Sequence, residues 1–201
     1  MKINFDKKKA LTVFAQYGFR KTSVGDIASA VGLSRQSLYK KFRNKEELFQ
    51  TIIAEYSEEV ALQALEILSE KTNDPKSRIL YALDIIIGQH VELIRNSGHG
   101  AELVQMGEQV ISAVGKGLIP QVMLKIADVI MEAHRERTKE QADDDAFILY
   151  TLAKGLSLTV ANYAEYHAGI TRAADRLLDE HRLPTSTTLS DIAPTAPHED
   201  L

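Results

Sequence analysis

Residues 24–43 read VGDIASAVGLSRQSLYKKFR. Val24, Ile27, Ala28 and Val31 recur at the three- and four-residue spacing of one helix face, and Gly32 interrupts them. Ser23-Val24-Gly25-Asp26 is a capping-box pattern, in which the serine oxygen takes a free backbone N–H and the aspartate reaches back. Gly32 allows the positive φ of a tight turn because it has no Cβ to clash. A second short helix begins after Ser34, with Leu33 and Leu38 as its anchors to a core, and Ala28 is small where the two helices cross. Two short helices joined through a glycine turn form a helix-turn-helix. Burying the leucines leaves Ser34, Arg35, Gln36, Ser37 and Lys40 on the early, outward side. That part of a recognition helix meets base edges. Arginine pairs there with guanine and glutamine with adenine. A structural helical hairpin with a basic face fits the same residues.

The flanking sequence also reads as helix. A first helix is expected over about Phe5–Tyr17, with Ala10, Val13, Phe14 and Tyr17 on one face and Gly18 as its left-handed terminator. Asn44 caps a long fourth helix carrying the stripe Phe49, Ile52, Ile53, Tyr56, Val60, Ala64 and Ile67. Asp74 and Pro75 start another, since proline's missing N–H is not needed in the first turn. Its face Ile79, Leu83, Ile86, Ile87, His90 and Ile94 predicts one continuous helix, followed by a loop over residues 96–100. Further helices are expected over about Ala101–Val114 and Leu118–Arg137. Asp143 to Asp145 suit the N-terminus of a helix running to about Tyr166, and a last helix covers about Ile170–His181. Proline, threonine and serine dominate from Leu183 on, which predicts a disordered tail over residues 183–201.

Charge divides the chain. Residues 1–50 carry +7 and residues 51–201 carry −11, for −4 overall. A basic block on an acidic body points to a small nucleic-acid-binding domain attached to another module, although an ordinary solvated basic surface has the same signature. The chain has no cysteine, so disulfides, thiolate metal sites and a thiol nucleophile are excluded. No two histidines stand at the i, i+4 spacing of a helical metal pair, and no metal or cofactor is expected. P-loop, GxSxG, HExxH and dinucleotide-type glycine motifs are missing, which weighs against an enzyme. The N-terminus MKINFDKKKA lacks a secretory signal's apolar stretch, and a cytoplasmic location is expected. The apolar run 146–164 is interrupted by Thr151, Lys154, Ser157, Thr159 and Asn162, so it reads as a buried helix rather than a membrane span.

The segment 11–53, LTVFAQYGFRKTSVGDIASAVGLSRQSLYKKFRNKEELFQTII, resembles the N-terminal domain of the TetR family of bacterial transcriptional regulators. Phe14, Gly18, Phe19, Thr22, Ser23, Val24, Ile27, Ala28, Gly32, Leu33, Ser34, Leu38, Tyr39, Phe42, Lys45, Glu46 and Leu48 carry the likeness without a gap. It covers about the first quarter of the chain. Gln36, where small residues or proline are frequent, and Lys41, where histidine is common, depart from the family pattern. The resemblance implies that Tyr39, Lys45 and Thr22 contact DNA phosphates, and their phenol, ammonium and hydroxyl can each donate to a phosphate oxygen. It implies an all-α fold: a three-helix helix-turn-helix domain over residues 1–47, and a helical effector-binding and dimerisation domain over residues 48–182. The function implied is that of a homodimeric repressor released from a palindromic operator on double-stranded DNA by a small-molecule effector. The alternative is an activator or a regulator controlled by a protein partner, with a small helical enzyme as a remote one.

Within the body, His90, Met106, Met123, Tyr150, Asn162, Tyr163 and Tyr166 are candidate effector-binding residues, because they add polar handles to apolar faces. Core packing explains each of them as well. The helices at about 143–166 and 170–181 are the expected dimer interface, with Ala153, Gly155, Ser157 and Ala161 permitting close approach.

Overall fold

A computed structural model describes residues 4–114 and 117–178, so the expected tail over 183–201 and the end of the last expected helix lie outside the described residues. Among the described residues the chain forms α-helices and one 3-10 turn, and no strand. The helices are α1 (Lys7–Lys21), α2 (Val24–Ala30), α3 (Arg35–Tyr39), α4 (Lys45–Ser69), α5 (Pro75–Ile86), α6 (Val91–Asn96), α7 (Gly100–Val114), α8 (Ile119–Ala133), α9 (Lys139–Thr159) and α10 (Tyr163–Leu178), with the 3-10 turn at Gly88–His90.

Local chemistry sets most of the boundaries. Asp6, Ser23, Ser34, Asn44, Asp74 and Thr138 each accept a backbone N–H at the start of their helices. Both halves of the capping box are present at Ser23/Asp26 and at Thr138/Gln141. Gly18 has φ 79° and ψ 154°, a region open essentially to glycine alone. The regular part of α1 therefore ends there, with one more turn to Lys21 beyond the break.

Two hydrophobic clusters organise the packing. The first contains Ala10, Leu11, Phe14, Val24, Ile27, Ala28, Leu38 and Phe42, with Leu48, Phe49, Ile52 and Ile53 of α4. Leu103, Met106, Val110 and Ile111 of α7 also pack on it. The second gathers Ala61, Ala64 and Leu68 of α4 with residues of α5, α8, α9 and α10, Tyr166 among them. One uninterrupted helix, α4, thus serves both clusters. At its distal end Leu68 is buried, and Ile67 of the expected stripe is only half-buried.

Four expected boundaries are corrected. The helix read from Pro75 through Ile94 breaks at Ile87, where φ is −133° and ψ −57°. A Cβ on Gly88 would lie 2.2 Å from Asp84 Oδ1 and 2.6 Å from the Tyr166 ring, so Tyr166 packs where only a glycine leaves room. Second, α8 ends at Ala133 rather than Arg137, with His134 at φ −126° and ψ 78°. Third, α9 starts at Lys139, so Asp143 to Asp145 lie inside it. There they form ion pairs, Asp143 with Lys139 at 2.9 Å and Asp145 with Arg137 at 2.6 Å. Fourth, the helix read as running over about 143–166 stops at Thr159. The break falls at residues 160–162 rather than between Tyr166 and Ile170, and α10 is continuous across residues 166–170. Val160 is extended, and the Asn162 side chain then accepts Glu165 N–H at 3.0 Å to open α10.

Candidate nucleic-acid interface and internal cavity

The helix-turn-helix is built on buried anchors. Ile27, Ala28 and Leu38 are buried, and the turn closes through Leu33 N–H donating to the Ala28 carbonyl at 2.8 Å. Gly32 sits at φ 70° with open space around it, so its role is conformational rather than steric. Ser34 accepts Ser37 N–H at 3.1 Å, and the two hydroxyls lie 2.8 Å apart, which ties down the first turn of α3. Asp26 accepts the N–H and hydroxyl of Ser23 at 2.8 and 2.7 Å, and these bonds hold its carboxyl below the usual range. With Leu38 inward, Arg35, Gln36, Tyr39 and Lys40 stand exposed together. The Arg35 guanidinium lies over the Tyr39 ring, 5.3 Å from its centre, within cation–π range.

Two of the expected phosphate donors are engaged elsewhere. Thr22 is 2% exposed, and its hydroxyl donates to the Gly18 carbonyl at 2.8 Å. Lys45 Nζ donates to the carbonyls of Phe19, Arg20 and Thr22 at 2.6, 3.1 and 3.0 Å, and stands 4.6 Å from the centre of the Phe19 ring. An ammonium has three hydrogens, and all three are spent on the end of α1. The aromatic rings of Phe14, Phe19 and Phe49 pack beneath this staple, with centroids 5.0 to 5.8 Å apart. Lys45 therefore joins the start of α4 to the terminus of α1 in this structure.

A cavity of about 220 Å³ lies between the two clusters. Leu11 of α1 borders it, together with residues of α4 to α9 and the 3-10 turn. Of the expected effector residues, His90 and Tyr150 reach this cavity. The other five are placed elsewhere. Met106 packs on the first cluster, Met123 and Tyr163 pack on the second, Tyr166 is in its centre, and Asn162 caps α10. Tyr56, Ser57, Glu108, Lys154 and Ser157, none of them expected to hold an effector, complete its polar lining. Two of them carried a sequence signal. Tyr56 is the one hydroxyl on the apolar stripe of α4, and Lys154 is the one charge in the run 146–164.

The polar groups of the cavity are paired. Tyr56 Oη and His90 Nε2 are 2.8 Å apart, and Lys154 Nζ lies 2.5 Å from Glu108 Oε1. Burial, reinforced by the charge of Lys8, pulls the His90 imidazole down to about 4. Burial likewise pushes the Tyr56 phenol up to about 12. Both are neutral at pH 7.

Comparison with known proteins places these features. Residues 8–52 match the model of the bacterial regulatory proteins of the tetR family. A segment of 53 residues is 38% identical to the HTH-type transcriptional repressor ComR of Escherichia coli strain K12, covering 26% of this chain and 25% of the relative. A longer stretch of 136 residues is 26% identical to the uncharacterized HTH-type transcriptional regulator YhgD of Bacillus subtilis strain 168, covering 64% of this chain and 71% of that one. The chain thus spans about a quarter of the length of ComR and of the similarly matched regulator YezE of Bacillus subtilis. Among solved structures, the TetR family regulator PfmR from Thermus thermophilus superposes with a TM-score of 0.56 at 15% identity, over 88% of this chain and 98% of that one. A TetR-like regulator from Rhodococcus sp. RHA1 gives 0.55 at 20% identity, over 87% and 94%. At such identities the superposition shows the fold. Residues 8–52 thus match the N-terminal helix-turn-helix model of the tetR family, and the described chain as a whole has the fold of these solved regulators.

Among the described residues no helix is long and apolar enough to cross a membrane, and no group of three or more His, Asp or Glu side chains is arranged to hold a metal ion.

Proposed function

We propose that this protein is a DNA-binding transcriptional regulator, a homodimeric repressor released from a palindromic operator by a small molecule. One observation carries the reading: the exposed side of α3 presents Arg35, Gln36, Tyr39 and Lys40 on a TetR-type helix-turn-helix whose opposite side is fully anchored. In this reading Arg35, Gln36 and Lys40 face base edges and Tyr39 positions the domain on phosphate. Ser34 and Ser37 brace α3. Thr22 and Lys45 support the domain through the end of α1 and approach phosphate only by giving up the carbonyls they now hold.

The body supplies the partner surface and the control. Phe147, Ile148, Leu152 and Leu158 of α9 are exposed large hydrophobics, and Gly155 between them has open space over its Cα. Ala153 and Ser157, also expected at the interface, are buried within the chain instead. An apolar helix face of this kind supports pairing with a second copy through α9 and α10. Two recognition helices then address half-sites about 34–36 Å apart on one duplex face. The cavity lies against α4, which runs directly into the helix-turn-helix. A molecule bound there works only by favouring one placement of that helix over another.

Selection of bound duplexes from a random pool tests the reading. The expected product is a palindrome bound with an affinity that falls steeply as salt rises. Absence of salt-sensitive binding to any duplex would overturn it.

A further inference from the structure

The cavity is chemically uneven in a way that selects its ligand. Most of its wall is hydrocarbon, including Leu103 and Val104 of α7. At the open end Lys154 and Glu108, with side chains 39% and 52% exposed, neutralise each other. Ser57 and Ser157 donate their hydroxyl hydrogens to carbonyls of their own helices, at 3.0 and 2.8 Å.

The Tyr56–His90 pair behaves differently. Tyr56 Oη and His90 Nε2 meet at 2.8 Å, and the imidazole tautomer sets which of them donates. With the ring hydrogen on Nδ1, Nε2 is the acceptor and the Tyr56 hydroxyl donates to it. With its hydrogen used, the phenolic oxygen offers only lone pairs to the cavity. A carboxylate brought against that oxygen would find no hydrogen and would lose its water, whereas an alcohol or phenol would supply the missing donor. Size adds a second constraint. An apolar cavity of about 150 Å³ accommodates benzene, so about 220 Å³ accommodates one ring with a short substituent.

We propose that His90 holds its ring hydrogen on Nδ1 and that the cavity takes a small, neutral, apolar molecule of about one ring in size, whose single hydroxyl donates to Tyr56 Oη. The inference rests on the regulator reading only in treating this ligand as the effector.

Titration calorimetry at pH 7 on the full chain tests it, with 4-ethylphenol, ethylbenzene and 4-ethylbenzoate as probes of one shape and three polarities. Saturable binding is expected for 4-ethylphenol, tighter than for ethylbenzene by about fivefold, the margin of one net hydrogen bond, with 4-ethylbenzoate weakest. Tyr56→Phe should erase the margin between the first two, and Val104→Phe, which fills the cavity, should abolish binding of both. The comparison of the three probes on unaltered protein stands even if a variant fails to fold. Tightest binding by the benzoate would assign the site to anions through Lys154 and overturn the proposal. Equal binding of all three probes, a margin that survives Tyr56→Phe, or no binding by any probe would also overturn it. Duplex binding is measured separately: its absence would defeat the regulator reading and leave the ligand comparison intact.

Discussion

At the scale of single residues, the proposed function gives Arg35 and Tyr39, neighbours on the exposed side of α3, different work. Arg35→Ala removes a side chain able to read a base, so specific affinity should fall about tenfold or more while affinity for random duplex falls little. Tyr39→Phe should weaken both by a similar, smaller factor; binding isotherms on selected and random duplexes distinguish the two outcomes. Lys45 belongs to stability. Lys45→Met keeps the apolar stem over Phe19 but removes three donors from the end of α1. The loss should be about 1–3 kcal/mol, seen as a lower urea midpoint with an unchanged slope. His90 gives the chain a pH signature. Its imidazole has an ordinary value of 6.5 and is pulled to about 4 by burial, so the unfolded chain binds the proton more readily. Stability from this group is fully present above about pH 6.5 and declines as pH falls towards 4, by about 2 kcal/mol between pH 7 and 5. His90→Gln, which can still accept from Tyr56, should flatten that part of the profile in urea titrations at matched pH. An unchanged slope would show that His90 does not carry it.

At the scale of elements, the features legible in the sequence are those that a few neighbouring residues decide. The caps at Ser23, Asn44 and Asp74 and the glycine turn at 32 follow from side chains reaching backbone groups three residues away. The breaks at 87–90 and 160–162 were not legible in the same way. Just past the first break, the need for glycine at 88 is set by Tyr166, far along the chain, which packs where a Cβ would stand. The stripe from Ile79 to Ile94 retains a helical period across that break, so periodicity alone runs through it. The site divides similarly. The outward residues of α3 follow from the buried position of Leu38, whereas the cavity's polar pairs join α4 to the 3-10 turn and α7 to α9 and have no local signature. Gly18 combines the two cases: its positive φ is local, but a Cβ there would also meet the His99 ring at 2.9 Å. Gly18→Ala should therefore cost about 1–3 kcal/mol, the range for a residue forced into a sparsely populated backbone region, read as a lowered thermal midpoint.

At the scale of the whole molecule, the exposed face of α9 predicts a dimer. Leu152→Glu places a charge in the middle of that face, and sedimentation should then report a species near 22.4 kDa in place of one twice as heavy. A wild-type chain that sediments at the single mass at micromolar concentration would remove the basis for paired half-sites. The same assembly depends on how the helix-turn-helix is hung from the body. Helix α4 is one attachment. The second lies where the chain between α6 and α7 meets α1, with His99 N–H donating to the Ala15 carbonyl at 2.9 Å and its imidazole seated on Gly18. Between these two attachments Leu103, Met106, Val110 and Ile111 of α7 rest on the first cluster. The N-terminal helices are thus braced along a whole wall, and a shift of α7 would be felt by α1 and α4 together.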